Sequence, residues 1–203
     1  MAYHAMPTRI RYSSMLIVLL SIIPTVRLGI LLMRSRWRLT CELVPEEDIL
    51  KKKDQLSELI VQVLRNYPML CYFQGYHDIV QVLLLVLGSQ NAALALAHVS
   101  LFRIRDYMLP SLTPALKHLQ LIPAIVGTID PALWRHLANI QPFFALAATL
   151  TLYAHDIEEY SDIARLFDFL LAREPVVAIY LFAVIILSRK KELMDIPVDE
   201  PEM

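Results

Sequence analysis

Only four glycines stand against twelve prolines in these 203 residues, and between the prolines run long apolar stretches. A β fold needs a tight turn about every eight to twelve residues, and such turns draw on glycine at positive φ. Proline-cut apolar stretches read instead as helices, because the proline ring and its missing N–H stop one helix and suit the first turn of the next. The expected fold class is therefore all-α.

The chain can be divided on this basis. Residues 1–44 form an atypical N-terminal segment with an apolar stretch at 15–33. Residues 45–195 read as one helical domain, and residues 196–203 as an acidic tail. After Pro45, the acidic Glu46, Glu47 and Asp48 suit the positive end of a helix dipole. Ile49, Leu56, Leu59, Ile60, Val63 and Leu64 then recur at helical spacing, and Lys51, Lys52, Lys53, Asp54, Glu58 and Arg65 fall mostly between them. Pro68 ends that helix. After a linker at 69–75, a second helix is expected over 76–87 with Gly88 as its stop, and a third over 91–102. Thr113-Pro114 and Asp130-Pro131 are cap-then-proline helix starts. A buried helix is expected over 143–154. Ser161 is expected to cap a helix through Leu171, with Ile163, Leu166, Phe167 and Leu170 on one face. Pro175 opens a last long helix over 176–193, whose apolar part at 176–187 is too short to span a bilayer and reads as a core helix. The total is about seven to nine helices.

Composition narrows the function classes. The chain is 57% hydrophobic and 19% charged with a formal net charge of −1, so no global field draws it to nucleic acid. Cys41 and Cys71 form neither a CxxC pair nor a metal-ligand spacing and read as two reduced thiols. The six histidines include no H-E-x-x-H, and no P-loop, G-x-G-x-x-G or G-x-S-x-G occurs. His77-Asp78 and His155-Asp156 are sequence neighbours that point in different directions on a helix, so they are poor acid/base dyads, and His77 and Asp78 are expected to brace the chain around them. Arg103, Arg105 and Asp106 read as a structural ion-pair cluster, with a partner contact as the alternative. At the N-terminus, Arg9 and Arg11 precede an apolar run. No A-x-A cleavage site follows. The stretch 15–33 is nearly long enough to cross a bilayer, yet Arg27 lies inside it, and a charge at mid-membrane costs about 2.5–3.5 kcal/mol on insertion scales. A membrane anchor and a buried segment both stay open.

The stretch Arg65-Asn66-Tyr67-Pro68-Met69-Leu70-Cys71-Tyr72-Phe73-Gln74-Gly75-Tyr76-His77-Asp78-Ile79 resembles the Y-x-Q-G motif of the TBC (Tre-2/Bub2/Cdc16) domain of Rab GTPase-activating proteins. About ninety residues on, Arg165-Leu166-Phe167-Asp168-Phe169 is similar to the family's R-x-W-D-x block, with Pro175 after it. The resemblance covers residues 46–193. The wording Y-F-Q-G-Y-H-D-I looks most like the branch anchored at the endoplasmic reticulum, which acts on Rabs of endoplasmic reticulum to Golgi traffic.

The resemblance implies a TBC-type helical fold and a regulator that catalyses nothing without its partner. A Rab-family small GTPase would supply GTP, Mg²⁺ and the P-loop, so the chain needs no cofactor of its own. The TBC domain would insert a glutamine and an arginine. By resemblance Gln74 is the glutamine, with Tyr72, Gly75, Asp78, Arg165 and Asp168 as supporting motif residues. Asp168, three residues after Arg165, is expected to pair with it on one helix face and to be structural. The family carries its arginine in an I-x-x-D-x-x-R pattern some forty residues earlier, where this chain has Leu28, Leu31 and Arg34. Arg34 is the corresponding candidate. Leu31 cannot orient it as an aspartate would, Arg36 and Arg38 compete, and a second register through Leu39-Thr40-Cys41-Glu42 leaves no finger at all. The family's earlier helices have no counterpart here, and the tail at Pro201-Glu202-Met203 stops where a further helix is expected. The domain thus reads as incomplete, in a truncated or mis-spliced form.

Three functions follow for comparison. The first is a cytoplasmic Rab GTPase activator, at the endoplasmic reticulum membrane if residues 15–33 anchor it. The second is a TBC-like module that binds a Rab without accelerating hydrolysis. The third is a small membrane-anchored helical protein.

Overall fold

A computed structural model describes residues 46–137 and 140–196. The expectations for the stretch 15–33, for Arg34, Arg36 and Arg38, and for residues 197–203 lie outside these described residues. Within them the chain is all-α and contains no strand. It divides between Pro110 and Ser111 into two compact units.

The first unit is built on α1 (Glu46–Asn66) and α2 (Tyr76–Phe102), followed by a short 3-10 turn at Arg105–Tyr107. On α1 the buried residues are Leu56, Leu59, Ile60, Val63 and Leu64, the stripe that a 3.6-residue period requires. They pack with Ile79, Val80, Leu83 and Leu84 in the core of the unit. Each such side chain, fully buried, contributes roughly 1.5–3 kcal/mol. Pro68 lies just beyond the end of α1, as expected.

By length and apolarity α2 could cross a membrane. It is not straight. Gly88 interrupts it at φ 71°, ψ 166°, a region of backbone space open essentially to glycine alone. The Tyr76 hydroxyl lies 2.7 Å from the Ser100 hydroxyl, whereas a continuous helix would hold those two residues about 36 Å apart. The two arms of α2 therefore fold back on each other, and the break falls at Gly88, where the sequence predicts a helix stop.

The second unit contains α3 (Thr113–Leu119), α4 (Leu121–Ile129), α5 (Pro131–Leu137), a 3-10 turn at Pro142–Ala145, α6 (Leu146–Leu150), α7 (Tyr160–Leu171), α8 (Val177–Ser188) and α9 (Lys190–Met194). Its core joins Leu119, Ile122, Val126, Leu133, Leu137, Ala145, Ile179, Ala183 and Ile186. Asp130 caps α5 as its sequence predicts: its carboxylate accepts the Leu133 N–H at 3.0 Å, and Pro131 opens the helix.

Four expectations need correction here. The helix expected over 143–154 is only α6, preceded by the 3-10 turn. Thr149 and Thr151 donate their hydroxyls to the Ala145 and Ala147 carbonyls, and Leu152 and Tyr153 then take positive φ, 51° and 66°, which ends the helix. The Tyr153 hydroxyl holds that reversal by donating to the Ala178 carbonyl at 2.7 Å. Ser161 lies inside the first turn of α7 and caps nothing, because the N-cap position falls to Glu159. The long last helix is two, α8 and α9, parted at Arg189. Finally, α8 is buried on one face only: Ala178, Ile179, Ala183 and Ile186 point inward, while Val184 stays 57% exposed.

Candidate functional site

The segment between α1 and α2 carries the glutamine. It leaves α1 through a turn in which the Leu70 N–H donates to the Tyr67 carbonyl at 2.9 Å. Leu70 is buried. The Cys71 N–H then donates to the Met108 carbonyl at 2.7 Å, which ties the segment to the chain just after the 3-10 turn.

Phe73 to Tyr76 form a β-turn closed by the Tyr76 N–H on the Phe73 carbonyl at 3.1 Å. Gly75, third in the turn, has φ 104° and ψ −11°. That is the type II conformation, which requires a positive φ at this position and hence glycine. Gly75 is buried and Gln74, the second residue, is exposed at the tip. The Asp78 N–H donates to the Gly75 carbonyl at 3.0 Å, so the turn passes straight into the first turn of α2. The exposed position of Gln74, in a short connection at the start of this helix, is the one its sequence context predicts.

Aromatic rings clamp the turn. Phe73 and Tyr76 stand 5.6 Å apart between centroids, and Tyr72 meets Tyr76 edge-on at 6.2 Å. The Tyr72 ring stacks on His77 at 6.3 Å, with planes 12° apart, and its hydroxyl lies 2.7 Å from His77 Nδ1. Burial, and then the charge of Asp78, push the pKa of Tyr72 well above its ordinary value, so it keeps its proton. Tyr76 is raised as well, by its own burial. Asp78 is buried in the first turn of α2, where the dipole favours a carboxylate. His77 Nε2 lies 3.9 Å from Asp78 Oδ1, beyond hydrogen-bond distance.

This arrangement gives Gln74 an amide that can donate and accept at once, carried on a backbone fixed from both sides. Tyr72, Gln74, Gly75 and Asp78 are thus brought together. Arg165 and Asp168 belong to α7 in the second unit, and both are exposed; among the described residues no ion pair joins them, contrary to the expected pairing. α7 turns Ile163, Phe167 and Leu170 inward, which leaves 165 and 168 toward water. Arg105 pairs with Asp106 at 3.5 Å on a largely exposed surface. Among the described residues no group of three or more His, Cys, Asp or Glu could hold a metal ion. Ser100 and Met108 were not singled out from the sequence. They reach the segment from 24 and 37 residues away along the chain, and nothing local marks them.

Comparison with known proteins gives three results. The Rab-GTPase-TBC domain profile matches residues 43–194. GTPase-activating protein gyp10 of Schizosaccharomyces pombe is 40% identical over 148 residues, covering 72% of this chain and 40% of that protein. Human TBC1 domain family member 20 is 34% identical over 158 residues, covering 77% of this chain and 39% of the relative. The chain therefore spans about two fifths of the length of these relatives.

Proposed function

The chain belongs to the Rab-GTPase-TBC domain family, and we propose that it stimulates GTP hydrolysis by a Rab-family small GTPase, with Gln74 presented in trans to the nucleotide that the partner binds. What supports this reading is the exposed Gln74 on a turn locked by Gly75, the Tyr72–His77 contact and the Cys71–Met108 hydrogen bond. GTP hydrolysis passes through a loose transition state with negative charge spread over the phosphoryl oxygens. A glutamine held in place orients the attacking water, because its amide accepts one of the water's protons while donating elsewhere. The partner contributes the nucleotide, Mg²⁺ and the P-loop.

The positive charge that this transition state needs is assigned to Arg34. An arginine finger accelerates hydrolysis by about 10³–10⁵, roughly 4–7 kcal/mol of barrier, and an uncharged glutamine cannot replace it. Leu31, where the family pattern has aspartate, favours a second reading in which the chain binds a Rab and accelerates nothing. We assign this activity to the cytoplasmic side of the endoplasmic reticulum, in traffic to the Golgi, on the wording Y-F-Q-G-Y-H-D-I at residues 72–79.

Single-turnover GTP hydrolysis across a panel of Rab proteins tests this. Gln74→Ala is expected to remove most of the stimulation while leaving Rab binding largely intact, since a transition-state contact acts on turnover more than on ground-state affinity. Equal losses in binding and turnover would make Gln74 an anchor. Stimulation unaffected by Arg34→Ala rules out that finger. No stimulation by the wild type favours the binding module. Carbonate extraction of the full chain separates a membrane anchor at 15–33 from a soluble protein.

A further inference from the structure

The hydrogen bonds of the Phe73–Tyr76 turn are local, between neighbours that any type II turn would join. One contact around it is different. Tyr72 precedes the turn and His77 follows it, and their side chains meet: hydroxyl to Nδ1 at 2.7 Å, rings stacked with planes 12° apart. The pair closes a ring over the four residues of the turn. It joins the chain entering the glutamine to the first turn of the helix leaving it.

Tyr72 keeps its proton, because burial and the nearby Asp78 charge both oppose its ionisation. The hydroxyl and Nδ1 share one hydrogen bond, whose direction the imidazole tautomer sets. The other ring nitrogen, Nε2, faces Asp78 Oδ1 at 3.9 Å. His77 is 5% exposed and Asp78 4%, so neither can turn away into water without vacating a packed position.

We propose that His77 is a positioning residue for the glutamine: by its hydrogen bond to the Tyr72 hydroxyl at Nδ1 it pins both ends of the Phe73–Tyr76 turn and limits Gln74 to one presentation. The proposal rests on the reading of Gln74 as the group offered to the GTPase-bound nucleotide. A turn closed only by its own Phe73–Tyr76 hydrogen bond would let the Gln74 side chain sample several directions. A displacement near 1 Å costs about a hundredfold in rate.

The experiment uses the full chain as wild type, Tyr72→Phe, His77→Ala, His77→Asn and the double variant Tyr72→Phe/His77→Ala. Amide hydrogen exchange is read at Tyr76 and Asp78, whose N–H groups close the turn and its junction with α2, with Val80 and Ile60 as controls in the two helices. Single-turnover hydrolysis and Rab affinity are read in parallel. Tyr72→Phe and His77→Ala should each speed exchange at Tyr76 and Asp78 at least about tenfold with the control amides unchanged, and lower the hydrolysis rate by about ten- to a hundredfold with unchanged Rab affinity. The double variant should lose no more than either single one, because both remove the same contact. His77→Asn, whose amide can accept from the Tyr72 hydroxyl or donate to it, should recover part of the loss. Unchanged exchange at Tyr76 and Asp78 in Tyr72→Phe overturns the proposal, as do losses that simply add. If the wild type stimulates no GTPase, the exchange measurement decides alone. The Gln74→Ala variant keeps the two readings apart. Opening of the turn without any effect of Gln74→Ala on hydrolysis sinks the catalytic reading and leaves the positioning role. Full loss in Gln74→Ala with no effect of the Tyr72 and His77 changes does the reverse.

Discussion

Tyr76 and Ser100, 24 residues apart, share a buried hydrogen bond of 2.7 Å between their hydroxyls. Both side chains are 0% exposed. The bond joins the two arms of α2 and starts from the last residue of the turn that carries Gln74, so the base of that turn is anchored to the end of the second arm.

Ser100→Ala is expected to destabilise the protein by about 1–3 kcal/mol, since it leaves the Tyr76 hydroxyl buried without its partner. Urea denaturation measures the loss. The double variant Tyr76→Phe/Ser100→Ala should recover part of it, because the stranded polar group is then gone as well. Strict additivity of the two single changes would show that the hydroxyls contribute independently.

Gly88→Ala should cost on the order of 1–3 kcal/mol although there is room for a methyl group: among the described residues, nothing beyond its own stretch of chain lies within 4 Å of where its Cβ would stand. The cost comes from the backbone, held at φ 71° and ψ 166°. Thermal melting of Gly88→Ala, with helical content followed by circular dichroism, checks this. A melting temperature equal to that of the wild type would mean that the hairpin does not depend on the break at Gly88.

Asp168→Ala should change stability by no more than about 0.5 kcal/mol, because Asp168 and Arg165 are both exposed. Had they formed a buried pair, removal of one partner would cost about 3–5 kcal/mol. Chemical denaturation of the single variant distinguishes the two. Unchanged stability together with lost stimulation of a Rab would give Asp168 a part in partner contact.

Asp130 links stability to pH. Its pKa is lowered from 3.8, first by the Lys190 side-chain hydrogen bond and then by the Leu133 N–H. A carboxyl with a depressed folded-state pKa contributes stability that is present above its unfolded value and is lost as pH falls through the folded one. Asp130→Asn keeps an oxygen for the Leu133 N–H and removes the charge. The wild type should therefore melt higher than Asp130→Asn at pH 7, and the two should converge in strong acid, below the lowered pKa. A difference that stays constant across that range would assign the effect to shape rather than charge.

The class of the fold and most of its breaks were legible in the amino-acid order. Pro68, Gly88 and Asp130-Pro131 act through their own backbone and nearest neighbours, so their effect is legible without any partner. The stripe on α1 is legible for the same reason: 3.6 residues per turn bring Leu56, Leu59, Ile60 and Val63 to one side whatever they pack against. The exposed turn position of Gln74 also followed from local signals. The remaining features depend on contacts between distant parts of the chain. The Cys71–Met108 and Tyr76–Ser100 hydrogen bonds join residues far apart in the chain, and no periodicity announces such pairs. The end of α6 depends on two residues at positive φ held by the Tyr153 hydroxyl on the Ala178 carbonyl, which a run of apolar letters cannot reveal. Arg165 and Asp168 have the spacing of an ion pair, yet helix spacing fixes only which residues are neighbours along a face. Which face turns to water is set by where the core lies, and on α7 the core takes Ile163, Phe167 and Leu170.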